Sequence, residues 1–158
     1  MPSIYEAIIA DHENHRALLD RISATTGASV DRKAAWASFY HDVKSHAAAE
    51  EETFYSKLIA KTWGQDAARH SVHEHKKLDD LLEELNEADM SSPGWLTRFK
   101  TLRHDYLHHM DEEEGEVFAL AREVISTKEI DGFGKRFQAR KTEEMGLIEQ
   151  KKAASLVD

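Results

Sequence analysis

His46-Ala47-Ala48-Ala49-Glu50-Glu51-Glu52 and His109-Met110-Asp111-Glu112-Glu113-Glu114-Gly115 share the pattern His-x-x-x-Glu-Glu, and a shift of 63 positions carries the first onto the second. In each, a histidine precedes a glutamate by four residues, one helical turn, so the two side chains share a face. The same shift carries Asp11-His12 onto Glu74-His75, Leu18, Leu19 and Ile22 onto Leu81, Leu82 and Leu85, and His41-Asp42 onto His104-Asp105. Because 63 is a whole number of heptads, matching apolar positions follow from helical periodicity alone. Matching histidines and glutamates do not, and they point to two helix pairs of similar design related by an approximate two-fold.

Working outward, each quoted stretch falls inside a long helical pattern. Ser3-x-x-Glu6 is a capping box that opens a first helix running to about Ala24, with Tyr5, Ile8, Ile9, Leu19 and Ile22 at amphipathic spacing. After the loop Thr25 to Ser29, a second helix carries Trp36, Phe39, Val43, Ala47, Phe54 and Leu58 and stops near Trp63-Gly64. A third has Ala68, Val72, Leu78, Leu82 and Leu85 on its stripe, and Pro93 suits the first turn of a fourth, where its missing N–H has no partner to lose. The fourth holds Phe99, Leu102, Tyr106, Val117 and Leu120, and a charged fifth is expected from about Lys135 to Ala154. No segment reads as a strand. The expected fold is all-α: an up-down-up-down four-helix bundle over residues 1–128, with an additional C-terminal helix in 129–158 packed on the bundle or partly free.

Composition narrows the chemistry. The 158 residues carry 30 acidic and 21 basic side chains, ten histidines and no cysteine. Without cysteine there is no disulfide framework, thiolate catalysis, iron–sulfur cluster or thiolate zinc site, so only His, Asp and Glu remain as metal ligands. The formal charge of -9 and the lack of a basic tract argue against a nucleic-acid partner. There is neither a signal-like start nor a long apolar run, so the expectation is a soluble, cytoplasmic protein with no membrane partner.

The stripes then say where the polar residues point. On the second helix Val43, His46, Ala47, Glu50 and Phe54 share the face that must be buried; on the fourth Tyr106, His109, Glu113 and Leu120 do. His12 lies between Ile8 and Leu19, and His75 between Val72 and Leu82. Imidazoles and carboxylates converging in a low-dielectric interior are costly unless neutralised, and metal ions neutralise them directly. His12, His46, Glu50, His75, His109 and Glu113 therefore form the candidate ligand set for two metals. Each metal would see two imidazoles and two carboxylate oxygens, leaving positions for an oxo or hydroxo bridge and an exogenous ligand. Nitrogen and oxygen ligation with open positions favours iron or manganese, with zinc less suited to a paired site.

These pieces, Asp11-His12, His46-x-x-x-Glu50-Glu51, Glu74-His75 and His109-x-x-x-Glu113-Glu114, resemble the hemerythrin-like HHE cation-binding family over about residues 4 to 125. The resemblance implies a four-helix bundle around a carboxylate-bridged di-iron centre with the same six ligands, used in relatives for dioxygen binding, oxygen or iron sensing, and reactions with peroxide or nitric oxide. It also has departures. Oxygen-carrying hemerythrins have His-x-x-x-His on the third helix, where this chain has Ser71, and an Asp five residues after the fourth-helix His, where Glu113 comes four after His109. The missing imidazole argues against reversible oxygen carriage. The iron-centre repair relatives have an N-terminal cysteine-containing region that is not seen here, which disfavours that role.

The remaining histidines are expected elsewhere. His15 shares the stripe of His12 and is a further ligand or a pocket residue, while His41, His70, His73, His104 and His108 fall off the stripes and are expected at the surface. Asp42 and Asp105 are placed to orient ligand imidazoles or simply to carry helix-surface charge, and Glu51, Glu52, Glu112, Glu114 and Glu116 are expected as surface residues or as supports for the ligands. The functional expectation is a di-iron protein that binds or senses a small diatomic or peroxide ligand, or holds iron. The alternatives are a di-iron enzyme consuming peroxide or nitric oxide, and a structural zinc bundle.

Overall fold

The computed structural model describes residues 2–157, with side chains described through Lys151. The first helix, α1 (Ile4–Ser23), starts where Ser3 accepts a hydrogen bond from the Glu6 backbone N–H at 3.1 Å. Ser29 does the same for Arg32 at the start of α2 (Val30–Glu50). Both serines satisfy an N–H that the helix itself leaves unpaired. After α2 the chain continues through a π-helical turn (Glu51–Tyr55) into the short α3 (Ser56–Ile59), then a 3-10 turn (Thr62–Gly64) and α4 (Gln65–Glu87). As the sequence predicts, Pro93 opens α5 (Pro93–Glu112), which runs through a second π-helical turn (Glu113–Val117) into α6 (Phe118–Val124). The last helix, α7 (Phe133–Val157), follows a turn in which Gly132 has a φ of 78°, a conformation that favours glycine. Among the described residues there is no strand, and none of the helices is long and apolar enough to cross a membrane.

Two apolar plugs fill the bundle. One gathers Ile4, Tyr5, Ile8, Phe54, Tyr55, Leu58 and Phe118 with Phe133 and Phe137 of α7. The other gathers Leu19, Ile22, Trp36, Phe39, Leu82, Trp95 and Phe99, with Trp95 and Phe99 stacked at 5.6 Å. At this second end the buried Arg32 donates to the Thr25 carbonyl and to the Met90 carbonyl, both at 2.8 Å, tying the α1–α2 and α4–α5 connections together. Between the plugs lies a layer of buried histidines and glutamates.

The second π-helical turn shifts the buried stripe beyond it by one residue. A turn closed by an i→i+5 hydrogen bond absorbs an extra residue, so everything beyond it is rotated relative to an uninterrupted helix. The regular pattern predicts Leu120 in the core; instead Phe118, Ala121 and Ile125 are buried and Leu120 is half-buried. Two other stripe expectations also shift, because Ala47 is only half-buried and Val72 is exposed, both lining an open cleft between α2 and α4. The C-terminal helix is packed on α1 and α2 through Phe133 and Phe137 rather than free.

This packing depends on Gly134, where the N-terminal segment crosses the first turn of α7. A Cβ on residue 134 would collide with the Pro2 carbonyl oxygen and the backbone of Ser3, whereas a Cβ on Gly146 of the same helix would meet nothing within 4 Å. Gly134→Ala is therefore expected to destabilise the protein by about 1–3 kcal/mol through overpacking. Gly146→Ala is expected to be neutral or to stabilise by up to about 1 kcal/mol. Paired thermal or urea melts of the two variants check both signs.

Candidate metal centre

Four helices deliver one histidine each to the polar layer. His12 comes from α1, His46 from α2, His75 from α4 and His109 from α5, while Glu50 ends α2 and Glu113 opens the second π-helical turn. All six are buried, with Glu113 and His12 at 0% exposure and Glu50 at 1%. Glu50 spans two imidazoles, its Oε2 lying 3.1 Å from His46 Nε2 and its Oε1 3.0 Å from His75 Nε2. Glu113 spans the other two, with Oε1 3.2 Å from His12 Nε2 and Oε2 3.6 Å from His109 Nε2. The six residues thus divide into two overlapping donor groups, His12, His46, Glu50 and Glu113 on one side and Glu50, His75, His109 and Glu113 on the other. Within each group the donor atoms lie within 4.8 Å of one another.

Every one of the four imidazoles turns its Nε2 inward and gives its Nδ1 to an acid. His46 Nδ1 meets Asp11 at 2.7 Å and His109 Nδ1 meets Glu74 at 2.9 Å; His12 Nδ1 meets Glu114 at 2.8 Å and His75 Nδ1 meets Glu51 at 3.2 Å. Each acid is the sequence neighbour of another residue in the cluster. Asp11 precedes His12, Glu74 precedes His75, and Glu51 and Glu114 follow Glu50 and Glu113. An Nδ1–H donated to a carboxylate fixes the tautomer that leaves the Nε2 lone pair free and fixes the plane of the ring.

The donor set fits a pair of cations on three observations. Both oxygens of Glu50, Oε1 of Glu113 and Nε2 of His12 are buried without a hydrogen-bond partner, although imidazole or carboxylate atoms stand close by. His75 Nε2 and His109 Nε2 face each other at 3.1 Å, two nitrogens in need of one proton or one shared cation. Burial lowers the pKa of His46 and of His75, but the carboxylates outweigh it, Glu50 and Asp11 pushing His46 up to about 9 and Glu50 and Glu51 pushing His75 up to about 10. Glu50, despite its burial, is held well below the ordinary carboxylate range by His46 and His75. Without metal, protons stand in for the missing positive charge.

Residues 3–121 match the hemerythrin HHE cation binding domain family. The chain belongs to that family. Among solved structures, a hemerythrin HHE cation binding domain-containing protein from Mycobacterium kansasii superposes with a TM-score of 0.85 at 24% identity, covering 96% of this chain and 92% of that one, which establishes the shared fold. A protein of Nostoc sp. named DNA nickase is 27% identical over 103 residues, 65% of this chain but only 29% of that relative's length. Its name leaves the expectation of no nucleic-acid partner without support from the comparisons.

Within this HHE domain, His15 lies outside both buried donor groups. It is fully buried, accepting from the Tyr106 hydroxyl at Nδ1 (2.7 Å) and donating from Nε2 to Asp42, so both nitrogens are engaged and neither belongs to a donor group. Burial depresses its pKa to about 4 against the pull of Asp42, which keeps the ring neutral. Asp42 serves His15 and Lys141, whereas Asp105 lies at the surface beside His104, so neither orients a cluster imidazole. Asp11, Glu74, Glu51 and Glu114 do that work instead. Their signal was present in the sequence as acids immediately adjacent to the repeated histidines and glutamates. His70, His73, His104 and His108 are exposed as expected, and His41 is half-buried.

Tyr55 is the other residue that the sequence pattern hides. Its hydroxyl donates to Glu113 Oε2. Burial and the neighbouring carboxylates raise its pKa well above the ordinary value, so it stays a protonated donor.

The raised imidazoles give a pH prediction. In the metal-free protein the folded-state pKa values of His46 and His75 exceed the ordinary 6.5, so their contribution to stability is present below about 6.5 and is lost as pH rises through about 9 to 10. Melts in the presence of a chelator are expected to show falling stability across that interval. Metal affinity is expected to rise over the same interval, because the protons that compete for Nε2 are leaving, and isothermal titration at several pH values measures it.

Proposed function

We propose that this chain holds two iron ions between its helix pairs and uses them to bind or sense a small ligand such as dioxygen or peroxide. The observation that carries the reading is the division of labour within each carboxylate: one oxygen of Glu50 and one of Glu113 face each imidazole pair, so every donor group has two nitrogens and two oxygens. Such a set leaves a six-coordinate cation open positions, and its nitrogen and oxygen character suits iron, with manganese or zinc as lesser candidates. Bound iron would supply the open positions and the electrons for ligand binding and reduction.

The protein's own residues do the rest. A cleft of about 810 Å³ between α2, α4 and α7 is lined by Val43, Ala47, Val72 and Leu78 and includes His46, His75 and His109 in its wall. The apolar plugs on either side keep bulk water from the carboxylates, which strengthens every charge interaction inside. The Tyr55 hydroxyl, held by Glu113, places a proton beside the buried carboxylates. That donor favours a second reading in which peroxide or a similar oxidant is consumed rather than held.

Anaerobic reconstitution with ferrous iron is expected to load about two ions per chain, as six protein donors in two groups require. Addition of dioxygen, peroxide or azide is then expected to change the absorbance. His46→Ala and His109→Ala should lose most of the metal while retaining their helical circular dichroism. Loading of one ion or fewer, or full loading in both variants, would overturn the ligand assignment. Consumption of many equivalents of peroxide per site selects the enzymatic reading, and a single stoichiometric change selects binding or sensing.

A further inference from the structure

The two-fold repeat makes Asp11 and Glu74 counterparts, and their surroundings differ in an informative way. Asp11 holds His46 with one oxygen and receives the Lys141 ammonium of α7 on the other at 3.0 Å; the same ammonium pairs with Asp42 at 2.8 Å. A fixed cation therefore sits on the outer side of that carboxylate. Glu74 likewise holds His109, but α7 packs chiefly against α1 and α2. Among the described residues, the ion-pair partners of Glu74 are all imidazoles.

Where Asp11 meets a lysine, Glu74 adjoins a cluster of metal-ligand type. His70 Nε2 lies 3.5 Å from Glu74 Oε1 and 3.2 Å from Glu112 Oε1, while His108 Nε2 lies 3.3 Å from the other oxygen of Glu112. His70 and Glu74 are one turn apart on α4, His108 and Glu112 one turn apart on α5, so two neighbouring helices present matched pairs at the same height. Donor atoms of His70, Glu74 and Glu112 all lie within 4.8 Å of one another. His70 is 53% exposed, so the cluster opens directly to solvent.

We propose that His70, Glu74 and Glu112 form a peripheral site for a divalent transition-metal cation, with His108 steadying Glu112 and water completing the coordination. The ion gives Glu74 the cationic partner that Lys141 gives Asp11 on the other half of the repeat. Because Glu74 also receives the Nδ1–H of His109, the peripheral ion and the buried donor cluster share one carboxylate. Mixed imidazole and carboxylate ligation at a solvent-facing site suits zinc or cobalt rather than calcium or magnesium.

Zinc titration with metal analysis after desalting tests this on the full chain. Wild-type protein is expected to take up one more zinc than the His70→Ala/Glu112→Gln double variant, whose changed side chains lie outside both buried donor groups. His46→Ala, which disrupts the buried cluster, is expected to keep the peripheral zinc, so failure of the buried assignment and failure of this one are told apart. With cobalt as the probe, the wild type is expected to show a set of visible bands that the double variant lacks. Equal zinc stoichiometry and identical cobalt spectra in the wild type and the double variant would overturn the proposal.

Discussion

Two carboxylates buried side by side between apolar plugs are the constraint on which this structure turns. Glu50 and Glu113 have almost no access to water, and an uncompensated charge in such a place costs several kcal/mol. The bundle answers with four imidazoles, one from each helix, aimed at the four carboxylate oxygens. Helix order, the two-fold repeat and the separation of the core into two plugs all follow from delivering those side chains to one layer. The apolar residues would satisfy a simpler bundle; the polar layer specifies this one.

Around that layer the chain uses its neighbours economically. The acid that orients each imidazole is adjacent in sequence to a different member of the cluster, so one helical turn supplies both an inward donor and an outward-facing support for a ring on another helix. Asp11 and Glu74 reach across to His46 and His109, and Glu51 and Glu114 reach across to His75 and His12. The helices are thereby cross-linked through the rings. Lys141 extends the pattern to α7, since it steadies Asp11 and Asp42 together and Phe137 packs its ring edge-on against His46 at 5.4 Å.

Much of this was legible in the sequence because the informative residues are rare and repeat at a fixed interval. His12, His46, Glu50, His75, His109 and Glu113 converge as the stripes require, and the all-helical bundle with its extra helix follows from the same periodicity. What could not be read has physical reasons. A π-helical turn has no residue signature of its own, so the shift from Leu120 to Ala121 and the inward placement of Tyr55 depend on a backbone hydrogen-bond choice that sequence does not spell out. His15 lies on the correct face but one turn too far along, where Tyr106 and Asp42 claim both its nitrogens. Phe133 and Phe137 sit at the start of a segment whose overall charge masks their burial, and the role of Asp11 or Glu74 emerges only when helices distant in sequence are brought alongside.

The paired π-helical turns bear on how such a bundle can vary. An i→i+5 turn is an extra residue that a helix has taken in without breaking, and each turn here begins at or beside an inward glutamate. Taking that residue out again would leave the helix continuous but swing everything after it by about 100° around the axis. Small insertions and deletions beside Glu50 or Glu113 are thus a way to exchange which side chain, tyrosine or another, looks into the polar layer, with the imidazoles upstream left where they are. The wide turn acts as an adjustable joint, letting chemistry drift on one side while the scaffold on the other keeps its register.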